Sequence, residues 1–217
     1  MIQQLRISVP VRPRLRGSMH VFAGVLAAVG GVALVVRAPG GFPRVAVVAY
    51  GVTMTAMFAV SAAYHRLRWS DRARRRMKAL DHTMIFCFVV GSYAPLAVLV
   101  LGPGARLAFL GSLAVVAAVG IVVKLVQLDR PGGPADLLYA VVTWWGVFIA
   151  LAVFRELSTP DAALAVGGLL LYSLSAGFLA GRWWDLAPAT FGYHEVAHTV
   201  MLAGTIAHYV LYWRGYG

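Results

Sequence analysis

The last apolar run of the chain, residues 191–213, carries His194-Glu195-Val196-Ala197-His198 near its start. Residues four positions apart lie about 40° apart around an α-helix, so both imidazoles can reach one metal ion. Ionisable side chains inside an apolar span are costly and by default indicate a functional site. Such a pair also arises by chance in a chain with six histidines. The stretch therefore predicts a helix with a candidate metal site whose other ligands lie elsewhere in the chain.

The overall composition is that of an integral membrane protein. Hydrophobic residues make up 60% of the chain and charged residues only 12%, whereas a soluble domain is about one-quarter charged. The net charge of +11 comes from basic residues between apolar runs, which favours anionic lipid headgroups over nucleic acid as partners. A single cysteine, Cys87, excludes any disulfide within the chain.

Seven apolar runs are each long enough to cross a hydrocarbon core of about 30 Å as an α-helix. We expect these spans at residues 18–36, 44–67, 79–101, 105–128, 135–154, 162–180 and 190–213. Residues 1–17 form a basic tail, and residues 18–217 form one transmembrane domain. The predicted fold class is an all-α bundle of seven transmembrane helices.

The distribution of basic residues between alternate loops predicts the orientation of the bundle. With the amino terminus inside, 14 of the 19 Lys and Arg residues lie on the cytoplasmic side. Seven of them fall in the loop between the second and third spans, residues 66–78, which we expect to be solvated or at headgroups. Because cytoplasmic loops are enriched in Lys and Arg, we predict a cytoplasmic amino terminus and an external carboxyl terminus.

This orientation brings further candidate ligands to one membrane face. The second span ends, and the third and seventh spans begin, in the cytoplasmic leaflet, where their polar residues share one depth. These residues are His65, Asp81, His194 and His198. Three neutral imidazoles and a water form an open tetrahedral zinc site, and a nearby carboxylate can deprotonate that water. Ser61 lies one turn deeper than His65, where its hydroxyl could bond the water or a substrate carbonyl.

Glu195 gives the stretch the H-E-x-x-H pattern of metalloproteases, in which the glutamate is the general base. Residues 199–217 contain no acidic residue to serve as a downstream ligand. The longer metzincin pattern would need Gly at 201 and His at 204, where the chain has Met201 and Gly204. Glu195 lies about 100° around the helix from His194, so we expect it to face a neighbouring helix or headgroups rather than the metal.

The other histidines are interpreted as packing or interfacial residues. His208 lies on the same helical face as His194, but ten residues, or about 15 Å, further across the bilayer. We expect it to be a hydrogen-bonded packing residue or a pore-lining group. His20 opens the first span and His82 follows Asp81, and we interpret both as interfacial residues rather than ligands.

Three segments together resemble the hemolysin III family, the bacterial branch of the progestin and adipoQ receptors. They are Ser61-Ala62-Ala63-Tyr64-His65, Leu80-Asp81-His82 with Gly91-Ser92-Tyr93-Ala94-Pro95, and Phe191-Gly192-Tyr193-His194-Glu195-Val196-Ala197-His198 with Ala207-His208. The resemblance implies a multi-pass protein of the bacterial cell membrane. It also implies a zinc ion on His65, His194 and His198, with Asp81 contacting the metal-bound water and Ser61 nearby. The family includes adiponectin receptors linked to ceramide hydrolysis, and the wider superfamily includes alkaline ceramidases. The large soluble amino-terminal domain of the animal receptors has no counterpart here, so hormone sensing is not implied.

The leading hypothesis is an intramembrane zinc hydrolase that acts on a lipid amide or ester entering from the bilayer. Asp81 would accept the proton of the attacking water. The alternative is a structural zinc in a non-enzymatic sensor or regulator of lipid state, or in a pore-forming protein. Structural zinc sites are closed by four protein ligands, so direct coordination by Asp81 would favour that alternative. A third hypothesis is haem-mediated electron transfer through histidines on facing helices.

Overall fold

The computed structural model describes residues 15, 17–129, 133–184, 187 and 189–216. The described residues form helices and no β-strand, with one isolated antiparallel bridge between Ala187 and Phe191. The helices are α1 (Ser18–Arg37), α2 (Phe42–Arg66), α3 (Asp71–Val100), α4 (Pro103–Val126), α5 (Pro134–Thr143), a 3-10 segment (Trp144–Ile149), α6 (Ala150–Glu156), α7 (Thr159–Gly181) and α8 (Tyr193–Gly215). Most of the predicted tail, residues 1–17, lies outside the described residues.

Helix boundaries follow the turn residues in the sequence. Proline occupies the first turn of α2, α4, α5 and α7, where its missing N–H would have no intrahelical partner in any case. One predicted boundary is wrong: α3 begins at Asp71, eight residues before the predicted start at Ala79. Most of the basic loop is therefore helical, and its second part, residues 71–78, extends α3 beyond its apolar part.

The helices form an integral membrane bundle. Among the described residues, six helical units are long and apolar enough to cross a membrane, with α5, the 3-10 segment and α6 counted as one. Large apolar side chains point outward along them, including Phe22 and Leu26 on α1, Leu107 on α4 and Phe148 on the 3-10 segment. In a bilayer these side chains face lipid at no cost. Although α8 has 23 residues, it is not among the six, since its histidines and Glu195 make it less apolar.

The fifth predicted span is interrupted rather than continuous. α5 ends at Thr143, and the chain continues as a 3-10 segment of six residues, about two turns, before α6 begins. The hydroxyl of Tyr93 on α3 enters this break, where it donates to the Thr143 carbonyl and accepts from the Gly146 N–H. Backbone groups released from an α-helix inside a membrane must be satisfied by the protein. Tyr93 adds hydrogen bonds to those of the 3-10 segment itself, so α3 holds the break in place.

α8 packs inside the bundle, against α7, α3 and α1. It approaches α7 closely, because a Cβ on Gly168 would lie 2.3 Å from the ring of His208. Tyr212 of α8 is fully buried and donates a hydrogen bond to the Ser92 carbonyl of α3. Its ring also contacts that of Tyr50 on α2, with 5.1 Å between the centroids. These contacts fix α8 relative to α2 and α3, which carry the other candidate site residues.

Candidate metal centre

The histidine pair of α8 occupies the first two turns of that helix. The Nε2 atoms of His194 and His198 are 2.7 Å apart, and the ring centroids are 4.3 Å apart. This Nε2–Nε2 distance is that of a hydrogen bond, which one neutral imidazole donates and the other accepts. The four-residue spacing thus places both nitrogens on the same side of α8.

The last turn of α2 brings His65 to the same place. Its ring centroid lies 5.0 Å from that of His194, and its Nε2 lies 4.0 Å from Oδ2 of Asp81 on α3. The hydroxyl of Ser61, one turn earlier on α2 and buried, lies close enough to the Asp81 carboxyl to interact with it. The structure therefore joins all five predicted site residues in one continuous series of contacts, from Ser61 through Asp81 and His65 to the α8 pair.

The distances in this cluster can be compared with those of a zinc site. Nitrogens bound to one tetrahedral zinc at about 2.0–2.1 Å are about 3.4 Å apart, so the Nε2 atoms of His194 and His198 must separate by about 0.7 Å to share an ion. A small rotation of either ring achieves this. In the described part of the chain, no group of three or more His, Cys, Asp or Glu side chains has the arrangement of a ready-made metal site. Three imidazoles are a donor set that zinc accepts, but the described residues do not hold them in the arrangement of a bound metal.

Glu195 has a structural role within its own helix. Its side chain is 3% exposed, and its Oε2 accepts a hydrogen bond of 3.0 Å from the backbone N–H of Gly192. The first N–H groups of a helix lack intrahelical partners, and a glutamate at the third position commonly folds back to satisfy the one at the cap. Sequence reasoning expected a neighbouring helix or headgroups and missed this cap.

The remaining histidines differ from each other. His208 is buried, and its Nε2 is 3.1 Å from the carbonyl of Ala165 on α7, which confirms its predicted packing role. His20 is not an exposed interfacial residue: it is 4% exposed and packs on His198, with ring centroids 4.2 Å apart. Sequence reasoning set His20 aside, although its position at the start of α1 gives it the depth of the other site residues.

Basic side chains surround the end of the bundle that carries the site. Arg66 donates a hydrogen bond to the hydroxyl of Ser18, and the Arg74 guanidinium lies over the ring of Tyr64. Further out, Lys78 pairs with Asp129 at 2.8 Å, and this hydrogen bond holds the pKa of the Asp129 carboxyl below its usual value. The positive rim suits anionic headgroups.

Comparison with known proteins places the chain in a family. The model of the Haemolysin-III related family matches residues 9–209, which include all five predicted site residues. The chain belongs to the Haemolysin-III related family. It is also similar to Hemolysin-3 of Bacillus cereus, with 24% identity over 161 residues that cover 74% of this chain and 70% of the relative. No solved structure matches the chain significantly. Membership in this family, with six apolar spans, makes the chain a multi-pass protein of the cell membrane.

Proposed function

We propose that this member of the haemolysin-III related family is a zinc-dependent hydrolase of a lipid amide or ester, with His65, His194 and His198 as the metal ligands. The observation that carries the proposal is the contact between the Ser61–Asp81 pair and the histidine cluster. Imidazole ligands beside a hydrogen-bonded carboxylate are what metal-assisted hydrolysis requires. A bound zinc would lower the pKa of its water and polarise the scissile carbonyl.

Asp81 and Ser61 have distinct roles in this proposal. Asp81, next to His65, accepts the proton of the attacking water and later delivers it to the leaving group. Ser61 holds the Asp81 carboxyl through its hydroxyl, which leaves the second carboxyl oxygen for the water. Ser61 is therefore a positioning residue for Asp81.

The substrate in this proposal comes from the bilayer. The outer faces of the helices are apolar, and the site lies at the end of the bundle that carries the basic rim. A lipid whose acyl chains remain among the helices could place its amide or ester carbonyl at this depth. The basic rim would favour a lipid with an anionic headgroup or an anionic membrane surface.

Seven spans with the amino terminus inside complete the proposal, and α8 is the seventh span. The polar residues of α8 face other helices rather than lipid, so α8 can cross the membrane although it is less apolar than the other spans. In a Cys87→Ser background, single cysteines at the exposed positions of Gly40 and Ser70 test the orientation. A membrane-impermeant maleimide should label the first and not the second in intact cells. The reverse labelling pattern would contradict the orientation.

The test of the proposed activity starts with the metal content of purified protein and continues with lipid hydrolysis. Zinc should bind at one equivalent, and a panel of lipid amides and esters should reveal an activity that chelation removes and zinc restores. His194→Ala with His198→Ala should lose both. His208→Gln, a matched histidine variant that keeps a donor for the Ala165 carbonyl, should keep both. Full activity in the double variant would sink the hydrolase proposal.

The alternative is a structural zinc in a sensor or pore-forming protein. Two observations favour it. The carboxylate of Asp81 lies 4.0 Å from Nε2 of His65, so a small movement would let it bind the same zinc ion. The relative in Bacillus cereus is named Hemolysin-3. A zinc closed by four protein ligands leaves no position for a water. Zinc binding without hydrolysis of any lipid in the panel, together with leakage from dye-loaded vesicles, would favour this alternative.

A further inference from the structure

The helices α1 and α8 meet along a seam whose two halves are closed differently. At the end away from the candidate site, the Arg37 side chain donates to the Trp213 carbonyl at 3.1 Å and lies over the Trp213 ring at 4.6 Å. Near the middle of the seam, the hydroxyl of Tyr209 donates to the Gly30 carbonyl at 3.1 Å. Hydrogen bonds thus join α1 and α8 in the half of the seam that lies farther from the site.

The half nearer the site is closed by weaker contacts. The ring of His20 meets that of His198 edge to face at 86°, with centroids 4.2 Å apart. The Thr199 hydroxyl lies 3.8 Å from Sδ of Met19, and a thioether is only a weak acceptor. Both ring nitrogens of His20 are buried without a hydrogen-bond partner among the described residues, so closing the seam leaves an imidazole without solvation. This half therefore opens more readily than the other.

Each helix of the seam is bound more firmly to another neighbour. α1 packs along α2, where a Cβ on Gly31 would lie only 3.2 Å from Cα of Gly51. α8 packs along α7, where the Ser175 hydroxyl donates to the Ala197 carbonyl at 2.7 Å. Rotation of the side chains that close the seam, with a slight separation of α1 from α8, leaves both of these helix pairs intact.

The seam faces lipid, and the candidate site lies directly behind it. Phe22 and Leu26 of α1 are 73% and 70% exposed, and Ile206 of α8 is 55% exposed. Lipid tails are as apolar as these side chains, so acyl chains cover both helices in a bilayer. His20 alone separates this surface from the ring of His198, one of the proposed ligands.

We propose that the half of the seam nearer the site is the entrance through which an acyl chain of a membrane lipid brings its amide or ester carbonyl to the candidate site. Met19 and His20 close this entrance when no lipid occupies it. The inference rests on the proposed function, because it supplies the route of that substrate. Arg66, which donates to the Ser18 hydroxyl at the mouth of the seam, is placed to bind an anionic headgroup there.

Locking the entrance tests its role without changing any residue of the proposed metal site. In a Cys87→Ser background, Met19→Cys with Thr199→Cys places two thiols across the entrance, and Arg37→Cys with Trp213→Cys places two across the far end of the same seam. A short bifunctional reagent that forms disulfides links each pair, and reduction releases it. Bound zinc and lipid hydrolysis are measured before linking, after linking and after reduction, so that each protein is its own control.

Linking residues 19 and 199 should lower lipid hydrolysis at least about 10-fold, because the substrate can no longer enter. Bound zinc should not change, and reduction should restore the activity. Linking residues 37 and 213 should change hydrolysis by less than about 2-fold, since that end of the seam stays closed. Full hydrolysis with residues 19 and 199 linked overturns the inference, and so does an equal loss in both linked proteins.

Photolabelling tests the entrance independently of hydrolysis. The probe is phosphatidylglycerol with a diazirine in one acyl chain, mixed into the bilayer that holds the protein. The probe should label Ala23, which is 4% exposed, and linking residues 19 and 199 should abolish that label, whereas the lipid-facing Phe22 should be labelled in both states. Labelling of Phe22 without Ala23 in the unlinked protein overturns the inference. Absence of zinc or of hydrolysis before linking contradicts the proposed function instead, and the label on Ala23 then still decides whether lipid enters here.

Discussion

The hydroxyl of Tyr93 is expected to stabilise the break between α5 and α6. Tyr93→Phe removes one oxygen that accepts from the Gly146 N–H at 3.0 Å and donates to the Thr143 carbonyl. An ordinary hydrogen bond inside a membrane protein contributes about 0.6 kcal/mol, whereas a buried backbone group left without a partner costs about 1–3 kcal/mol. Since Tyr93 bonds two backbone groups at a helix break, we expect Tyr93→Phe to lower the free energy of unfolding by about 1–2 kcal/mol.

A second tyrosine of the same bundle provides the control. The hydroxyl of Tyr209 donates to the Gly30 carbonyl at 3.1 Å, and this carbonyl lies in the interior of α1, where it already accepts a helical hydrogen bond. Tyr209→Phe should therefore cost no more than about 0.6 kcal/mol. Reversible unfolding of both variants in bicelles measures the difference. Equal losses would refute the idea that the two hydrogen bonds of Tyr93 stabilise the helix break.

Three further predictions follow from other contacts. Gly168→Ala should destabilise the bundle by about 2 kcal/mol or more, because its Cβ would lie 2.3 Å from the packed ring of His208 on α8. A Cβ on Gly167 meets nothing within 4 Å. Gly167→Ala is therefore the control and should be neutral in the same unfolding measurement. Asp81→Asn should bind zinc as tightly as the unaltered protein and lose at least 100-fold in lipid hydrolysis. The hydrogen bond from Lys78 lowers the pKa of the Asp129 carboxyl. The Lys78–Asp129 pair therefore stabilises the fold at a pH above the ordinary carboxyl pKa, and this stabilisation is lost as the pH falls through the lowered pKa of Asp129. The stability difference between the unaltered protein and Lys78→Gln should accordingly shrink below about pH 4.

The spans were predictable because a lipid-facing helix requires a long run of apolar residues, which is visible in the sequence. Residues 18–36 correspond to α1 (Ser18–Arg37), and residues 105–128 correspond to α4 (Pro103–Val126). Both runs are mostly apolar, and glycine or proline lies close to their ends. The start of α3 was missed because hydropathy marks the edge of the apolar core, whereas a helix can continue into headgroups with basic side chains, as it does from Asp71.

The break at residues 144–149 is not marked by any change in the apolar character of the sequence. Helix interruptions are usually signalled by proline, but α5 and α6 contain none at the break, and the residues there are as apolar as their neighbours. The partner that satisfies the break, Tyr93, lies about 50 positions earlier in the chain. A contact between distant positions of this kind is set by tertiary packing, which no local pattern in one sequence encodes.

The site was predictable in its members but not in its extent. Spacing and shared depth selected His65, Asp81, His194 and His198, and the structure brings these residues into contact. The same depth criterion applies to His20, yet an isolated histidine at a span end has no partner in sequence to mark it. Its contact with His198 depends on which helices are neighbours, and α1 meets α8 only in the folded bundle.

Glu195 shows how one residue can complete a catalytic motif for a structural reason. α8 begins at Tyr193, so His194 and Glu195 are its second and third residues. The third position is where a glutamate caps the helix start, and its carboxylate accepts from the N–H of Gly192. A histidine pair that begins one residue earlier then gives H-E-x-x-H without any need for a general base.

The two interpretations of Glu195 predict different outcomes for one substitution. A glutamine at this position can still accept the Gly192 N–H, so Glu195→Gln should keep zinc binding and lipid hydrolysis within about 3-fold of the unaltered protein. Glu195→Ala should lose the cap and about 1 kcal/mol of stability. A general base has no such tolerance, because an amide cannot take up the proton. If Glu195→Gln kept its fold and its zinc but lost hydrolysis 100-fold, Glu195 would be a catalytic residue and Asp81 would no longer be needed as the base.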